Sequence, residues 1–441
     1  RCALHLPHSD QSQNPGSSKA ARMNFFLHLT GIPGRRLAAA LAIAAASTFL
    51  LFGYEFVRSV AQSLFVEAYG TDKLPWVMAA APLSTLLLVY GYGRLLSAAG
   101  PRLAIILSTA ISAFTLIACQ EAMLAGFAPA TAILYLFREA YIVLLIEQVW
   151  SFLNSTLNDS EGRKLNGLVC GLASLGPIAG GLMVQRYAQA WGSANLLMMA
   201  ALTLVPAGVL AAVAFRLAGE PRAAYDEARG KHGHLGWGEL IRTPVLSRMA
   251  LLIVLTQVVS TALELHMNIR VKAAIPDADA RTSWFGGLYA LLNVGAAVFQ
   301  FILTPLALRR FSLAAIHTAI PLLNAAASAL SLAVPGLAPA AGAYMTFKIL
   351  DYSIFRAGKE LLYIPLSFDA RYRAKEVIDA FGYRIGKGAA SAAFAAARGL
   401  HVLPLPIYPV AALAALIAWL PLARRMTRPE AAERAKPQSL L

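Results

Sequence analysis

Charged side chains stand where the surrounding residues are apolar: Glu55 and Arg58; Arg138, Glu139 and Glu147; Glu264 and His266; Lys348, Asp351, Arg356, Lys359 and Glu360. An ionisable group at the centre of a bilayer costs about 2.5–3.5 kcal/mol on insertion scales, so such groups turn toward a partner or a wet cavity. The chemistry this permits is reversible binding and charge coupling. Bond-breaking chemistry has no matching constellation, because no His-rich cluster, Ser/His pair or close carboxylate set falls on the loops between apolar stretches. No glycine-rich phosphate loop ending in Lys-Ser or Lys-Thr occurs. Cys2, Cys119 and Cys170 lie far apart without paired or metal-ligand spacing, so they read as small apolar fillers. Neither an enzyme nor a metal or cofactor site is expected.

Helical phase, at 100° per residue, gathers these charges into stripes. Lys348 and Lys359 point almost the same way, flanked by Arg356 and Asp351. Gln257, Thr261, Glu264 and Asn268 share a second face, Glu55, Arg58 and Gln62 a third, and Arg384 and Lys387 follow at i, i+3. The stripes predict a polar cavity with a cationic bias that suits an anionic small molecule. Its binding residues are expected to be Arg58, Arg138, Lys348, Arg356, Lys359, Arg384 and Lys387. Glu147, Glu264, Asp351 and Glu360 are expected to couple or gate. The same spacings also allow Glu55 with Arg58, Lys348 with Asp351, and Arg356 with Glu360 to be self-neutralising intrahelical pairs, and allow Arg58 and Lys359 to snorkel. His266 is out of phase with Glu264 and reads as a packing or interfacial histidine. Gly167, Gly171, Gly176 and Gly180 form small-xxx-small runs of the kind that pack helices closely.

The elements that carry these stripes follow from composition. The chain of 441 residues is 58% apolar and 14% charged, against about 45–50% and about 25% in soluble domains. Apolar windows long enough to cross about 30 Å of hydrocarbon occur at Leu37–Val57, Leu74–Leu96, Leu103–Ala125, Ala130–Phe152, Gly167–Gln185 and Ala194–Phe215. A second set runs Met249–Ile269, Trp284–Leu308, Leu313–Val334, Pro339–Pro365, Val377–Arg398 and Val402–Leu422. The expected fold is an all-α membrane protein of twelve transmembrane helices in two six-helix halves. Residues 37–216 and 249–422 would be the halves, 1–36 a disordered cytoplasmic segment, 217–248 a cytoplasmic linker and 423–441 a cytoplasmic tail. Lys and Arg concentrate in the loops on one side, among them Arg35, Arg36, Arg94, Arg102, Arg163, Lys164, Arg309, Arg310, Arg371, Arg373, Lys375, Arg424, Arg425 and Arg428. By the positive-inside rule that side, with both termini, is cytoplasmic in a bacterial inner membrane. The net charge of +15 is thereby spread over loops facing the lipid bilayer, and no nucleic-acid partner is expected.

A weak internal repeat points to two related halves: Phe137-Arg138 recurs as Phe347-Lys348, each followed by a basic loop and a glycine-bearing helix. Parallel six-helix halves describe the major facilitator architecture. The stretch from Lys348 through Asp351, Tyr352, Arg356, Lys359, Glu360 and Tyr363 to Pro365, with Lys375, Asp379, Gly382, Arg384, Gly386 and Lys387 after it, resembles the ATP/ADP translocase family of nucleotide transporters. Trp150 to Asn154, Glu161 with Lys164, and Glu264 with Lys272 are similar to family positions. The resemblance implies a membrane carrier of nucleotides, often exchanging ATP for ADP, with Glu264 and Lys359 at charged positions important to transport; a monomer is expected. Where the family shows an Arg followed three residues later by a Lys, this chain has Arg58 and then Ala61. The expected function is alternating-access transport of an anionic solute, a nucleotide first. The alternatives are a proton-coupled facilitator of small organic solutes and a non-transporting membrane scaffold or sensor.

Overall fold

The computed structural model describes residues 31–219, 244–363, 378, 382–399 and 406–427. Most of the expected linker, the basic residues Arg371, Arg373, Lys375 and Arg428, and Asp379 lie outside these. All regular structure among the described residues is helical. The first helix, α1 (Gly34–Tyr69), starts after Pro33 and stops at Gly70, whose φ of 74° admits a glycine more readily than other residues. Its 36 residues run about 54 Å, well past the hydrocarbon. A 51-residue helical stretch follows, α2 (Leu74–Leu124), broken at Gly100 (φ 76°) beside Pro101, which has no N–H to continue a ladder. The break falls between the two spans predicted there. Next come α3 (Pro129–Thr156), α4 (Asp159–Trp191) and α5 (Leu196–Ala218). A reciprocal cap opens α4: Asn158 Oδ1 accepts the Glu161 N–H at 2.9 Å and the Glu161 carboxylate accepts the Asn158 N–H at 3.1 Å.

The C-terminal helices are α6 (Pro244–Ala274), α7 (Ala278–Val298), α8 (Thr304–Arg310), α9 (Leu313–Ala333), α10 (Leu337–Leu350), α11 (Arg356–Tyr363), α12 (Tyr383–Gly399) and α13 (Ile407–Met426). Two π turns join neighbours end to end: Phe299–Leu303 between α7 and α8, and Asp351–Phe355 between α10 and α11. Nine helices among the described residues are long and apolar enough to cross a membrane, against twelve spans predicted. Three places account for the difference. Leu74–Leu124 is a single helical stretch across its Gly100 break, the charged and π-interrupted segment 337–363 contains no uniform apolar helix, and Tyr383–Gly399 has only 17 residues.

Two apolar cores form. One draws only on residues between Ile32 and Phe215. The other is built from residues between Val245 and Met426, joined by Phe65, Val66, Leu74, Val77, Met78 and Tyr135. Leu83, Leu86, Phe114, Val205, Leu322 and Ile417 are each more than half exposed, an outward apolar surface that only a lipid environment satisfies. The two groups meet where glycine lets backbones touch. A Cβ on Gly181 would come within 2.7 Å of the Gly286 carbonyl, one on Gly286 within 2.6 Å of the Gln185 nitrogen, and one on Gly388 within 2.7 Å of Pro82. Within the first group, Gly176 and Gly180 lie against the Thr48 and Phe52 carbonyls, whereas Gly167 and Gly171 have no close neighbour. Only half of that glycine run is therefore a packing surface.

Gly286→Val is expected to prise α4 from α7 and destabilise the protein by about 1–3 kcal/mol, the usual cost of overpacking. Gly342→Ala, at a position with nothing within 4 Å, serves as the control. Thermal unfolding of the purified variants distinguishes them, and equal midpoints would show that the crossing is not tight.

Candidate functional site

A cavity of about 480 Å³ lies between the two groups of helices, lined by Glu55, Arg58, Arg138, Glu139, Glu264, Lys348, Arg356 and Lys387 among others. The charges arrive on six helices. α1 contributes Ser47, Tyr54, Glu55 and Arg58, α3 contributes Arg138, Glu139 and Trp150, and α4 contributes Ser174. From the other side come Glu264 of α6, Tyr289 and Asn293 of α7, Tyr344 and Lys348 of α10, and Lys387 of α12. Tyr352 and Arg356 come from the π turn and the start of α11.

The charges are tied together rather than isolated. Lys387 bridges Glu139 at 3.3 Å and Glu264 at 3.8 Å, so an ion network crosses from α3 to α12 and α6. Arg138, 2% exposed, pairs with Glu139 at 3.3 Å, donates to the Arg58 carbonyl and the Gln62 side-chain oxygen at 2.8 Å each, and lies over the Tyr135 ring. Gln62 in turn donates to Asn268 at 2.7 Å. Glu55 sits 3.6 Å from Arg58 and accepts from the Asn293 amide at 3.0 Å. Arg58 donates to the Tyr344 hydroxyl at 3.4 Å and stacks 3.6 Å from the Tyr289 ring centroid. Lys348 donates to the Ser260 hydroxyl at 2.8 Å, with the Tyr344 and Tyr352 rings 5.7 and 5.5 Å away. The Arg356 guanidinium lies 5.2 Å from the Tyr352 ring. Such a wall can hold an anion by charge and a flat ring by stacking.

The predicted residues divide. Arg58, Arg138, Lys348, Arg356, Lys387 and Glu264 all line the cavity. Lys359, Arg384, Glu147, Glu360 and Asp351 are not among its lining residues. Lys359 is buried, 3.8 Å from Glu360 and beside the Tyr363 and Tyr383 rings. Asp351 is buried with one carboxylate oxygen unpartnered, Glu147 and Glu360 are exposed, and His266 is buried away from the cavity. The π turn Asp351–Phe355 explains the fate of Lys359. A π turn accommodates one extra residue, so everything beyond it is rotated by about 100° relative to an unbroken α-helix. Corrected in this way, Arg356 returns to within about 20° of Lys348 and Lys359 swings away. Sequence reasoning also passed over the rings. Tyr344, Lys348, Tyr352 and Arg356 recur every four residues, and that spacing was the available signal.

At one end of the cavity the two groups are clamped. Glu67 accepts from both Lys272 and Arg281 at 2.5 Å, and Arg281 is 1% exposed. Ser63 donates to the Ala278 carbonyl at 2.6 Å, the Ser193 N–H donates to Asp279 at 2.8 Å, the Ser193 hydroxyl oxygen lies 2.5 Å from that carboxylate and 2.7 Å from the Thr282 hydroxyl oxygen, and Arg398 pairs with Asp72. On α1 the cavity residues span 47–58 and the clamp residues 62–67, so the cavity lies on the N-terminal side of the clamp.

Removing one partner of an ion pair leaves the other charge uncompensated, at about 3–5 kcal/mol when the pair is fully buried and about 1–3 kcal/mol for a partly exposed pair such as Lys387 with Glu139. Lys387→Met is expected to destabilise the protein by an amount of that order, and the double variant Lys387→Met with Glu139→Gln to recover part of the loss. A double-mutant cycle on thermal unfolding measures the coupling, and additive losses would show that the bridge carries no energy.

Residues 293–424 match the family described as TLC ATP/ADP transporter, which covers under a third of the chain. Comparison with curated protein sequences finds no match. Solved structures resemble the whole fold. The nucleoside transporter NupG shares 11% identity at a TM-score of 0.66, over 89% of this chain and 100% of that one. The D-xylose-proton symporter shares 14% at 0.62, over 86% and 96%. A bacterial homologue of the lysosomal transporter Spinster, inward-facing and unoccupied, shares 15% at 0.61, over 92% and 99%. These are transporters, not enzymes. The chain is a multi-pass, all-α membrane protein with a fold of the major facilitator type.

Proposed function

We propose that the protein is a secondary-active carrier that moves a small organic solute bearing negative charge across a bilayer by alternating access. The single observation that carries this reading is the cavity between the two helical groups, walled by more cations than carboxylates at a depth where each charge is costly. The likeness in fold to a nucleoside transporter and a sugar-proton symporter supports transport of a small organic solute and leaves the solute's identity open. Twelve crossings follow if Leu74–Leu124 makes two passes about Gly100, and if 337–363 and Tyr383–Gly399 make the tenth and eleventh. The distribution of basic loops supports an orientation with both termini in the cytoplasm of a bacterial inner membrane and the clamp on the opposite side.

Nucleotides are the second reading. The match over 293–424 covers Lys348, Arg356 and Lys387, and the Tyr and Trp rings of the wall offer faces on which a base can stack. Against strict ATP/ADP exchange stand Ala61 three residues after Arg58 and Lys359 outside the cavity lining. Carboxylates within the site, Glu139 and Glu264, are placed to exchange Lys387 with the arriving anion and so couple binding to movement of the groups.

Alternating access requires the clamp to open. Ser193→Cys with Thr282→Cys, replacing side-chain oxygens 2.7 Å apart, is expected to form a disulfide under oxidation and stop solute flux in proteoliposomes by at least tenfold, with reductant restoring it. Undiminished flux through the fully cross-linked protein would exclude a cycle that passes through an opened clamp.

A further inference from the structure

The cavity is zoned along its length. Its lining advances toward the clamp from Ser47 to Arg58 on α1, from Trp150 back to Arg138 on α3, and from Val169 to Pro177 on α4. The clamp end holds Glu55, Arg58, Arg138, Glu139, Glu264 and Lys387, paired at 3.3–3.8 Å. The entry end is lined on one side by Leu51, Ile146, Val149, Trp150, Val169 and Ala173 of the N-terminal helices. Two hydroxyls interrupt this strip, and both are spent on their own helices: Ser47 donates to the Ala44 carbonyl and Ser174 to the Cys170 carbonyl, each at 2.7 Å. The facing wall carries Gln300, Tyr352 and Arg356 of the C-terminal group.

Hydrocarbon turned toward a wet chamber gains stability only when something covers it. Closure of the entry by rocking would lay the strip against Gln300 and Arg356, whose desolvation opposes that contact. A solute with an apolar body covers it without that cost. We infer that the carried solute is amphiphilic: an anionic head seats beside Arg58, Lys348 and Lys387, a hydrocarbon body lies along the entry strip, and Trp150 selects that body. The inference rests on the anion-carrier reading above and narrows it. It sets the solute apart from small polar acids, which leave the strip bare, and from nucleotides, whose hydroxylated sugar would be laid against it. Glu139 and Trp150 stand eleven residues apart on α3, about 16 Å along the helix axis, which bounds the length of body the strip can cover.

The test is flux of methane-, butane-, hexane- and octanesulfonate into liposomes carrying the full-length protein, with protein-free liposomes subtracted and adenosine monophosphate as the polar comparison. A sulfonate stays ionised, so it does not leak across as a neutral acid. The expected kcat/KM rises about fourfold per methylene from butane to octane, the equivalent of about 0.8 kcal/mol for each buried CH₂, and octanesulfonate exceeds adenosine monophosphate at least tenfold. Trp150→Gln should at least halve the logarithmic slope with chain length, while Trp150→Phe, which keeps an apolar ring and reports on folding, retains it. Lys348→Gln should lower every member of the series by a common factor, which assigns head and body to separate places. A flat series, adenosine monophosphate ahead of octanesulfonate, or a slope that Trp150→Gln leaves unchanged overturns the amphiphile while leaving an anion carrier intact. Absence of flux for every anion overturns both.

Discussion

The structure turns on one amine. Lys387 stands between Glu139 of the N-terminal helices and Glu264 of the C-terminal helices, and through Glu139 it reaches Arg138, Gln62 and Asn268. In a low-dielectric interior each of these groups would be expensive alone. Joined, they make the middle of the protein the place where the two groups recognise one another. An interface held by exchangeable charges differs from one held by interlocking side chains, because its bonds can be handed to another anion without a cavity being left behind.

Around that centre the contacts differ in kind. Glycines at 181 and 286 bring backbones together and Gly388 admits the Pro82 ring, so the helices cross closely at these points. Hydrogen bonds and ion pairs gather at the clamp, where Glu67 meets Lys272 and Arg281 and Ser193 meets Asp279 and Thr282. Polar, water-replaceable contacts at one end and smooth crossings beside the cavity suit rigid bodies that rock. The apolar cores are unequal in this respect: one draws on the N-terminal helices alone, whereas the other takes in Phe65, Val66, Leu74, Val77, Met78 and Tyr135 and so links the two groups.

Much of this was legible in the residues and some was not. The apolar windows located the helices without fixing their ends, since the first helix runs on from Val57 to Tyr69 and the fourth begins at Asp159 ahead of Gly167, and Gly100 with Pro101 marked a break that lies where two spans had been separated. Burial of charge was readable because hydropathy and charge contradict each other at Arg138, Glu264 and Lys348. Which charges meet was not, because Glu139 and Lys387 are distant in sequence and nothing local sets their approach. Glu147 and Arg384 are not among the residues that line the cavity, and helical phase alone does not set Arg384 apart from Lys387, three residues on and on the same helix face. The clamp was invisible for another reason. It is built from loop-end residues such as Ser63, Ser193 and Asp279, ordinary in type and meaningful only once the helix ends are juxtaposed.

The π turn at Asp351–Phe355 has a further consequence. An i→i+5 turn holds its additional residue by geometry slightly poorer than that of the α-helix on either side, and the register beyond it is therefore set by a local balance and not by the covalent chain. Were that residue expelled, the segment from Arg356 to Tyr363 would twist by about 100°, withdrawing a guanidinium from the wall and presenting the ammonium of Lys359 in its place. One helix thus carries two cationic surfaces about 100° apart, of which only the one bearing Arg356 faces the cavity.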